Sequence, residues 1–217
     1  MQPYFVPYAG YFRLLAATDI FVIYDCVQFP RRGWVHRNRL PDATASLGWL
    51  TLPLAKAPRN VIIRDLAFRA DARDVLAASC RRFPLLAHPR HDPHGMIDAM
   101  RDLTGTPLDY IERLLRRAAE ALGLPWHVLR SSSLGISPDL PGQERILAIC
   151  RAIGAETYVN SPGGRALYDP ARFSAEGIAL RFLSDHRGSF ASILARLLDE
   201  PAAQVAEEIH ANTVLTG

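Results

Sequence analysis

The stretch Ile20-Phe-Val-Ile-Tyr24 is apolar without interruption and is bounded by Asp19 and Asp25. Its β-branched and aromatic residues do not alternate with polar ones, which predicts a strand that is buried on both faces, as in a parallel sheet. A short helix is predicted directly before it, from Gly10 to Thr18. A helix followed by a buried strand indicates an α/β fold.

Downstream of about residue 107, helical and strand patterns alternate along the chain. This order requires crossover connections, and crossover connections join parallel strands. We therefore expect an α/β fold built on a mainly parallel, Rossmann-like three-layer sheet. The predicted strands are 126–130, 157–160 and 178–183, and the predicted helices are 108–122, 143–153, a short one from near Gly163, 188–198 and 202–211.

The middle of the sequence predicts an antiparallel strand excursion and a helical insertion. Trp49–Leu54 and Val61–Phe68 have the composition of strands, and the proline in the first favours an edge position. A helix is predicted over residues 72–83. Residues 84–107 are rich in proline and are expected to be an insertion within a single domain that covers residues 1–217.

Composition places the chain among ordinary globular proteins. With 217 residues and 49% hydrophobic content, it can bury a sizeable core. Apolar runs stay well short of the roughly 18 residues that a membrane helix needs, and the first residues lack a secretory pattern, so we expect no membrane span and a cytoplasmic location. Cys26, Cys80 and Cys150 are odd in number and lack paired spacing, which fits a reducing compartment.

The net charge of +3 is small, and the positive side chains are almost all arginine. Positive charge that is spread along a chain normally forms a solvated surface, so composition does not predict nucleic-acid binding. One local cluster is an exception, because residues 31–39 contain four arginines and His36.

The segment Gln2-Pro-Tyr-Phe-Val-Pro-Tyr-Ala-Gly10 places prolines, aromatic residues and a glycine directly before the first helix. Prolines stiffen this approach, Gly10 permits close backbone contact, and the N–H groups at a helix start attract anions. One interpretation is an elbow that binds phosphate or carboxylate, and the other is a rigid aromatic loop packed on the core. The candidate binding residues are Gln2, Tyr4, Gly10 and Tyr11.

Asp25 and Gln28 follow the buried strand at its carboxyl end, where open α/β sheets bind their ligands. The arginine cluster comes immediately after them. A carboxylate, an amide and several guanidinium groups so close together favour a functional site over a solvated surface. The catalytic candidates are Asp25, Gln28, His36 and Asn38, and the substrate-binding candidates are Arg32, Trp34, Arg37 and Arg39.

The turn Asn160-Ser-Pro-Gly-Gly164 is a second candidate anion site. It follows a predicted strand and precedes a short helix that Ser161 can cap, and its glycines expose N–H groups. If the sheet is parallel, this turn shares an edge with Asp25. An ordinary capped turn is the alternative. The candidate binding residues are Asn160, Ser161, Gly163 and Gly164.

Three other features are weaker candidates. The histidines at positions 88, 91 and 94 are regularly spaced, but the prolines around them favour a solvated loop over a zinc site, and no metal is predicted. Cys26 could be a nucleophile with His36 as its base, although a buried bystander thiol is favoured. His186 follows the last predicted strand and is either an acid–base residue or part of a surface turn.

Long motifs carry a resemblance to a known family. They are Gln2-Pro-Tyr-Phe-x-Pro-Tyr-x-Gly-Tyr-Phe12, Asp19-x-Phe-Val-Ile-Tyr-Asp-x-Val-Gln-Phe29 and Arg32-Gly-Trp-x-x-Arg-Asn-Arg39. On these motifs the chain resembles the WbqC-like family over about residues 2–183. Shorter matches are Trp49-Leu-Thr-Leu-Pro53, Gln143-x-Arg-Ile-Leu147 and Tyr158-x-Asn-Ser-Pro-Gly-Gly-x-x-Leu-Tyr168.

The sequence departs from the family pattern in two places. Family members usually carry a short strand before the Gln-Pro motif, so either the start lies upstream of Met1 or that strand is missing. Cys26 stands where the family commonly has a second acidic residue, which argues against a two-carboxylate or metal mechanism.

The resemblance implies a reaction that belongs to polysaccharide or natural-product biosynthesis, because members occur in O-antigen gene clusters and are suggested to be glycine or aminoacyl transferases. The implied reaction transfers an acyl or aminoacyl group to an amine, such as an amino sugar or a small metabolite, and forms an amide. The implied roles are base or amine anchor for Asp25, orientation for Gln28 and Asn38, and binding of donor phosphate or carboxylate for Arg32, Arg37 and Arg39.

The implied donor is an activated acyl group on a carrier-protein thioester, an aminoacyl-tRNA or an adenylate, and no other cofactor is implied. An acyl carrier protein is thus a candidate partner, and tRNA is the only nucleic acid expected. Two other functions stay open: a noncatalytic module that binds a nucleotide-sugar or carrier protein, and a nucleotide-dependent ligase.

Overall fold

The computed structural model describes residues 1–89 and 91–217. The described strands are short and lie in three small sheets, and helices connect them, so the chain has a mixed α/β fold. The strands are β1 (Phe21–Ile23), β2 (Arg37–Pro41), β3 (Leu47–Thr51), β4 (Val128–Arg130), β5 (Thr157–Asn160), β6 (Ala179–Leu183) and β7 (Leu215–Thr216).

Helices account for more of the described chain than strands do. The longest one, α5, begins with a capping box: Thr106 Oγ1 accepts a hydrogen bond from Asp109 N, and the Asp109 carboxylate accepts one from Thr106 N. The helices are α1 (Ala9–Ala16), α2 (Ala72–Cys80), α3 (Pro84–Ala87), α4 (Met96–Arg101), α5 (Pro107–Ala121), α6 (Gly142–Ala152), α7 (Pro170–Ala175), α8 (Ile193–Asp199) and α9 (Ala202–Asn212).

The antiparallel excursion is formed by β2 and β3. Residues 61–68 do not supply a strand, so that part of the prediction is wrong, but Leu54 and Phe68, one from each of the two predicted segments, form an isolated antiparallel bridge. That range contains a 3-10 turn, Ile63–Asp65, instead of a strand. In β2, buried Asn38 and Leu40 alternate with more exposed arginines, which is the pattern of a half-buried strand. The high charge of the segment concealed this pattern in the sequence.

Parallel pairing joins β1 to β4 and β5 to β6, as the alternation of helices and strands predicts. The two pairs lie in separate sheets, and a Rossmann-like three-layer arrangement stays a prediction. A cleft of about 550 Å³ lies between β1 and β5. Met1 also lines this cleft. It is held beside β1 by two hydrogen bonds, since its amino group donates to Val22 O at 2.8 Å and its carbonyl accepts from Tyr24 N at 2.8 Å.

The main hydrophobic core surrounds α5 and α8, and a smaller core lies between α6, α7 and the β5–β6 pair. Cys150 is buried in the smaller core, and Cys80 packs against the main one. The 84–107 segment contains α3 and α4, whose Leu86 and Met100 side chains are buried in the main core. None of the helices within residues 1–89 and 91–217 combines the length and the apolar character that a membrane crossing needs.

Candidate functional site

Asp25 follows β1 and is completely buried. Its carboxylate accepts three hydrogen bonds from the turn that follows β4: Ser131 Oγ at 2.7 Å, Ser132 N at 3.0 Å and Ser132 Oγ at 2.6 Å. The main-chain N of Asp25 also donates to Ser131 Oγ at 3.2 Å. These bonds tie the carboxyl ends of two neighbouring parallel strands together. A substrate would therefore reach the charge of Asp25 through the serine hydroxyls.

Cys26 extends this hydrogen-bond network to a half-buried thiol, whose Sγ lies 3.1 Å from Ser131 Oγ. The hydroxyl hydrogen of Ser131 is directed at Asp25, because an ionised carboxylate only accepts. The thiol is then the donor to Ser131 Oγ. A continuous chain runs from the thiol through the hydroxyl to the carboxylate.

Arg145, in the first turn of α6, places a guanidinium group beside this thiol. Its Nη1 donates to Cys26 O at 3.0 Å and lies 3.8 Å from Cys26 Sγ, and its Nη2 donates to Pro138 O. Its Nε is buried and has no hydrogen-bond partner among the described residues. The sulfur therefore lies between the Ser131 hydroxyl and a guanidinium group. We name Tyr24, Asp25, Cys26, Ser131, Ser132 and Arg145 the carboxyl-end cluster.

Tyr24 connects the carboxyl-end cluster to the second predicted turn. Burial raises the pKa of its phenol and the nearby Arg145 opposes this shift, whereas the neighbouring Cys26 and Tyr168 reinforce it. Tyr168 O–H lies 3.1 Å from the hydroxyl of Tyr158, whose pKa burial also raises well above its ordinary value. The Tyr168 hydroxyl oxygen accepts a hydrogen bond from Asn160 Nδ2 at 3.1 Å.

The turn from Asn160 to Gly164 is held by its own hydrogen bonds. Asn160 Oδ1 accepts from Ser161 N at 2.7 Å, so both ends of this amide are engaged. Gly164 needs its missing side chain, because a Cβ there would lie 2.6 Å from Asn160 Nδ2, whereas Gly163 faces open space. Ser161 precedes a 3-10 turn, Pro162–Leu167, without a side-chain cap.

The N-terminal motif bends sharply at Val6, which has a φ of +37°. A β-branched residue is strained there. The Val6 carbonyl accepts hydrogen bonds from Asn38 Nδ2 at 2.8 Å and from Ser192 Oγ at 2.6 Å, and Asn38 Nδ2 also donates to Phe5 O at 2.9 Å. Asn38 and Ser192 are both buried. The Asn38 amide is therefore occupied by the backbone of the motif.

The other candidates of the motif also contact its own structure. Tyr11 is buried, its hydroxyl donates to Gln2 O at 3.0 Å, and its ring lies 5.4 Å from that of Tyr4. Burial raises the pKa of both tyrosines. Gly10 is required by packing, because a Cβ there would lie 2.2 Å from the Tyr8 ring and 2.9 Å from His186 Nδ1.

Gln28 and His36 lie beyond the carboxyl-end cluster, and no hydrogen bond joins either side chain to it within the described chain. Gln28 is exposed and its Nε2 donates to Arg59 O at 2.9 Å. The His36 ring packs against Phe29, with ring centroids 4.9 Å apart. Burial, with a smaller contribution from Arg37, lowers the pKa of His36 to about 4.

Two of the clustered arginines contact Trp49 on the outward face of β2 and β3, and Trp34, which precedes β2, packs against the Trp49 ring. The Cζ atoms of Arg37 and Arg39 lie 4.2 and 4.6 Å from the centre of the Trp49 ring, and the Trp34 ring lies 5.4 Å from it. Strand register explains this arrangement, because Arg39 is paired with Trp49. We name Arg32, Trp34, Arg37, Arg39 and Trp49 the Arg–Trp face.

The sequence predicts Asp25 and the arginines as site residues but does not predict their partners. Ser131 and Ser132 resemble an ordinary polar turn, and Trp49 and Arg145 were noticed only as parts of longer motifs. The position of Arg145 at a helix start, after a proline and a glycine, is the available signal for it. Within residues 1–89 and 91–217, no group of three or more His, Cys, Asp or Glu is arranged to hold a metal ion.

Comparison with known proteins places these motifs in one family. A sequence model of the WbqC-like protein family matches residues 2–191. An uncharacterized protein of Mycobacterium tuberculosis, Rv1507c, is 27% identical over 179 residues, which cover 80% of this chain and 75% of that protein. No solved structure matches the chain. The match over residues 2–191 includes every candidate residue discussed above, and the chain belongs to the WbqC-like protein family.

Proposed function

We propose that the chain is an acyl- or aminoacyltransferase that forms an amide on an amine acceptor, such as an amino sugar or a small metabolite. The observation that carries the proposal is the hydrogen-bond chain from Cys26 through Ser131 to Asp25, with Arg145 beside the thiol. A nucleophile, a proton acceptor and a cation are the parts that acyl transfer through a covalent intermediate requires.

In the first step, the Cys26 sulfur attacks the acyl carbon of the activated donor. The thiol proton passes to Ser131 Oγ while the Ser131 proton passes to Asp25, and the donor's leaving group departs with its bonding electrons. In the second step, the amine attacks the thioester, and the Cys26 sulfur departs from the acyl carbon with its bonding electrons. The sulfur regains its proton from Asp25 through Ser131, and the proton that the amine nitrogen loses passes through solvent to the leaving group released in the first step. Arg145, whose Nη1 lies 3.8 Å from the sulfur, stabilises the negative charge that develops there as the proton leaves during attack, and again as the sulfur departs from the thioester.

The remaining candidates supply binding. Arg32, Arg37 and Arg39 would hold phosphate or carboxylate of the donor, because guanidinium groups bind both in a forked geometry. The Asn160–Gly164 turn would border the acceptor, since Tyr168, which accepts from Asn160, packs against the same small core as Tyr24 of the carboxyl-end cluster. Gln28, His36 and Asn38 act by shaping the segments that carry these groups.

The proposal is tested by mass spectrometry of the intact protein after incubation with acetyl and glycyl thioesters of pantetheine. We expect an acyl adduct on Cys26 that disappears when glucosamine is added, with the amide as product. Cys80→Ala should retain both signals because Cys80 packs against the core away from the hydrogen-bond chain. Cys26→Ala should lose both.

Two further variants test the proton path. Asp25→Asn is expected to abolish product formation, and Ser131→Ala to lower it at least tenfold, since general-base assistance typically contributes about 10²–10⁴-fold. Each variant is checked for folding by circular dichroism. Product formation by Cys26→Ala at the wild-type rate would contradict the proposal.

A second candidate function is a noncatalytic module that binds a nucleotide-sugar or a carrier protein. The Arg–Trp face favours it, because aromatic and arginine side chains dominate many binding surfaces. Thermal-shift measurements with nucleotide-sugars and acylated carrier proteins separate the two, since a module would be stabilised without turnover. A nucleotide-dependent ligase would instead be stabilised by ATP.

A further inference from the structure

We propose that the Arg–Trp face binds single-stranded nucleic acid. The inference goes beyond the proposed function, because a strand can bind on this face whether or not Cys26 transfers an acyl group. It assigns a class of ligand to arginines for which the proposed function names only a phosphate or carboxylate. Charge, ion pairing and ring geometry each support it.

Positive charge is concentrated in the segment of the sequence that forms this face. Residues 26–59 contain six cationic side chains and one carboxylate, Asp42, although the whole chain has a net charge of only +3. The remaining residues therefore have a net charge of −2. The small net charge of the whole chain thus conceals a strongly positive segment. Local positive charge of this kind attracts a polyanion.

The arginines of this segment form no ion pair with a carboxylate within residues 1–89 and 91–217. Every ion pair that the described residues form involves an arginine from Arg64 onward, and most of those arginines lie on helices. Arg31 and Arg37 donate instead to main-chain carbonyls, which leaves their charge uncompensated. Arg32 and Arg39 are exposed. These guanidinium groups are available to phosphates.

The two tryptophans add surfaces on which bases can stack. The Trp34 side chain is 42% exposed, which is unusual for so large an apolar residue. The guanidinium groups of Arg37 and Arg39 lie against the Trp49 ring. Unpaired bases stack on both aromatic rings and arginine planes, so the face offers several stacking surfaces beside its cations.

The shape of the face favours a strand. It is the outward side of a two-stranded hairpin, about 16 Å long for five residues per strand, and is open rather than enclosed. A duplex would hide its bases from Trp34. A single strand can place its phosphates on the arginines and stack its unpaired bases on the tryptophan rings at the same time.

Fluorescence anisotropy with labelled 12-nucleotide RNA and DNA strands tests the proposal on the full chain. We expect the logarithm of the association constant to fall linearly with the logarithm of the salt concentration. The slope should be about −2 if Arg32, Arg37 and Arg39 each neutralise one phosphate, because each neutralised phosphate of a single strand contributes about −0.7. Arg39→Ala should make this slope shallower by about 0.7. Trp34→Ala should weaken binding at least fivefold, since stacking of one base typically contributes that much or more.

Matched controls separate this face from general charge. Arg101→Ala removes an exposed arginine of α4 and should leave binding unchanged, and Trp34→Phe should retain part of the affinity lost in Trp34→Ala. A duplex of equal length should bind more weakly than either strand.

Equal binding by wild type and Trp34→Ala, tighter binding of the duplex, or no binding at 50 mM salt would overturn the inference. So would Trp34-dependent binding of anionic vesicles or an acidic carrier protein with which the strands do not compete. Acyl transfer at Cys26 without strand binding would overturn it and leave the proposed function in place.

Discussion

Val6 shows how single residues define the N-terminal motif. Its positive φ is costly for a β-branched side chain, and two buried side chains, Asn38 and Ser192, stabilise it by donating to its carbonyl. The sequence identified Asn38 as a functional candidate because of its charged neighbours. Its contacts with Phe5 and Val6 could not be predicted, since a backbone outlier leaves no mark in composition.

Replacing Asn38 by alanine should therefore destabilise the fold. The change removes two hydrogen bonds to carbonyls of the motif and one to Arg39 N, and it leaves Phe5 O buried. We expect the free energy of unfolding to fall by about 2–3 kcal/mol. Urea titration measures it, and Asn60→Ala, at an exposed position, should stay within about 0.5 kcal/mol of wild type.

His36 should make stability depend on pH. Its pKa is about 4 in the folded protein and 6.5 in a model peptide, so between these values the unfolded chain binds the proton more readily. Stability from this residue is fully present above pH 6.5 and is lost as pH falls toward 4. The loss should be about 1–2 kcal/mol, reduced from the full shift because the ring is partly exposed to solvent.

Urea titrations at a series of pH values measure this dependence. His36→Gln, which does not titrate, should show a flatter profile between pH 6.5 and 4. His127→Gln, at an exposed position, should keep the wild-type slope. Identical profiles for wild type and His36→Gln would show that the histidine is not desolvated.

Among the secondary-structure elements, β1 was predicted most usefully, because its carboxyl end carries Asp25. The buried run before Asp25 forms β1, and its parallel partner β4 ends in the serines that bind Asp25. The pairing of β1 with β4 spans about half the chain, so pattern alone could not identify those serines. β2 was missed for the opposite reason, because local charge outweighed its alternation.

The capping box of α5 gives a test at this scale. Thr106→Ala removes the acceptor for Asp109 N and should cost about 1 kcal/mol, which corresponds to about 2–4 °C in Tm for a chain of this size. Thermal unfolding followed by circular dichroism measures the shift. Thr106→Ser keeps the hydroxyl, so its Tm should be close to that of the wild type. An unchanged Tm in Thr106→Ala would show that the cap contributes nothing to stability.

At the scale of the whole molecule, hydrogen bonds at Val6 join three distant parts of the chain. Asn38 lies in β2, and Ser192 immediately precedes α8. Such contacts are invisible to sequence motifs, because the three positions share no local pattern. The family match covers residues 2–191, whereas Ser192 lies just outside it.

These contacts should be energetically coupled. Asn38→Ala and Ser192→Ala each remove one donor from the same carbonyl, so the loss in the double variant should differ from the sum of the single losses by about 0.5–3 kcal/mol. A double-mutant cycle from urea titrations measures this difference. Strict additivity would mean that the two side chains stabilise the motif independently.

The hydrogen bond between Val6 and Ser192 also affects the order in which the chain can fold during its synthesis. The two residues are 186 positions apart, and a ribosome adding about 5–20 residues per second needs roughly 10–40 seconds to pass from one to the other. During that interval the strained bend has the donor on Asn38 but lacks the donor on Ser192, and the apolar residues around the bend cannot yet pack against α8. The bend at Val6 is thus synthesised well before one of its two partners, and we expect its structure to be completed only after Ser192 has left the ribosome.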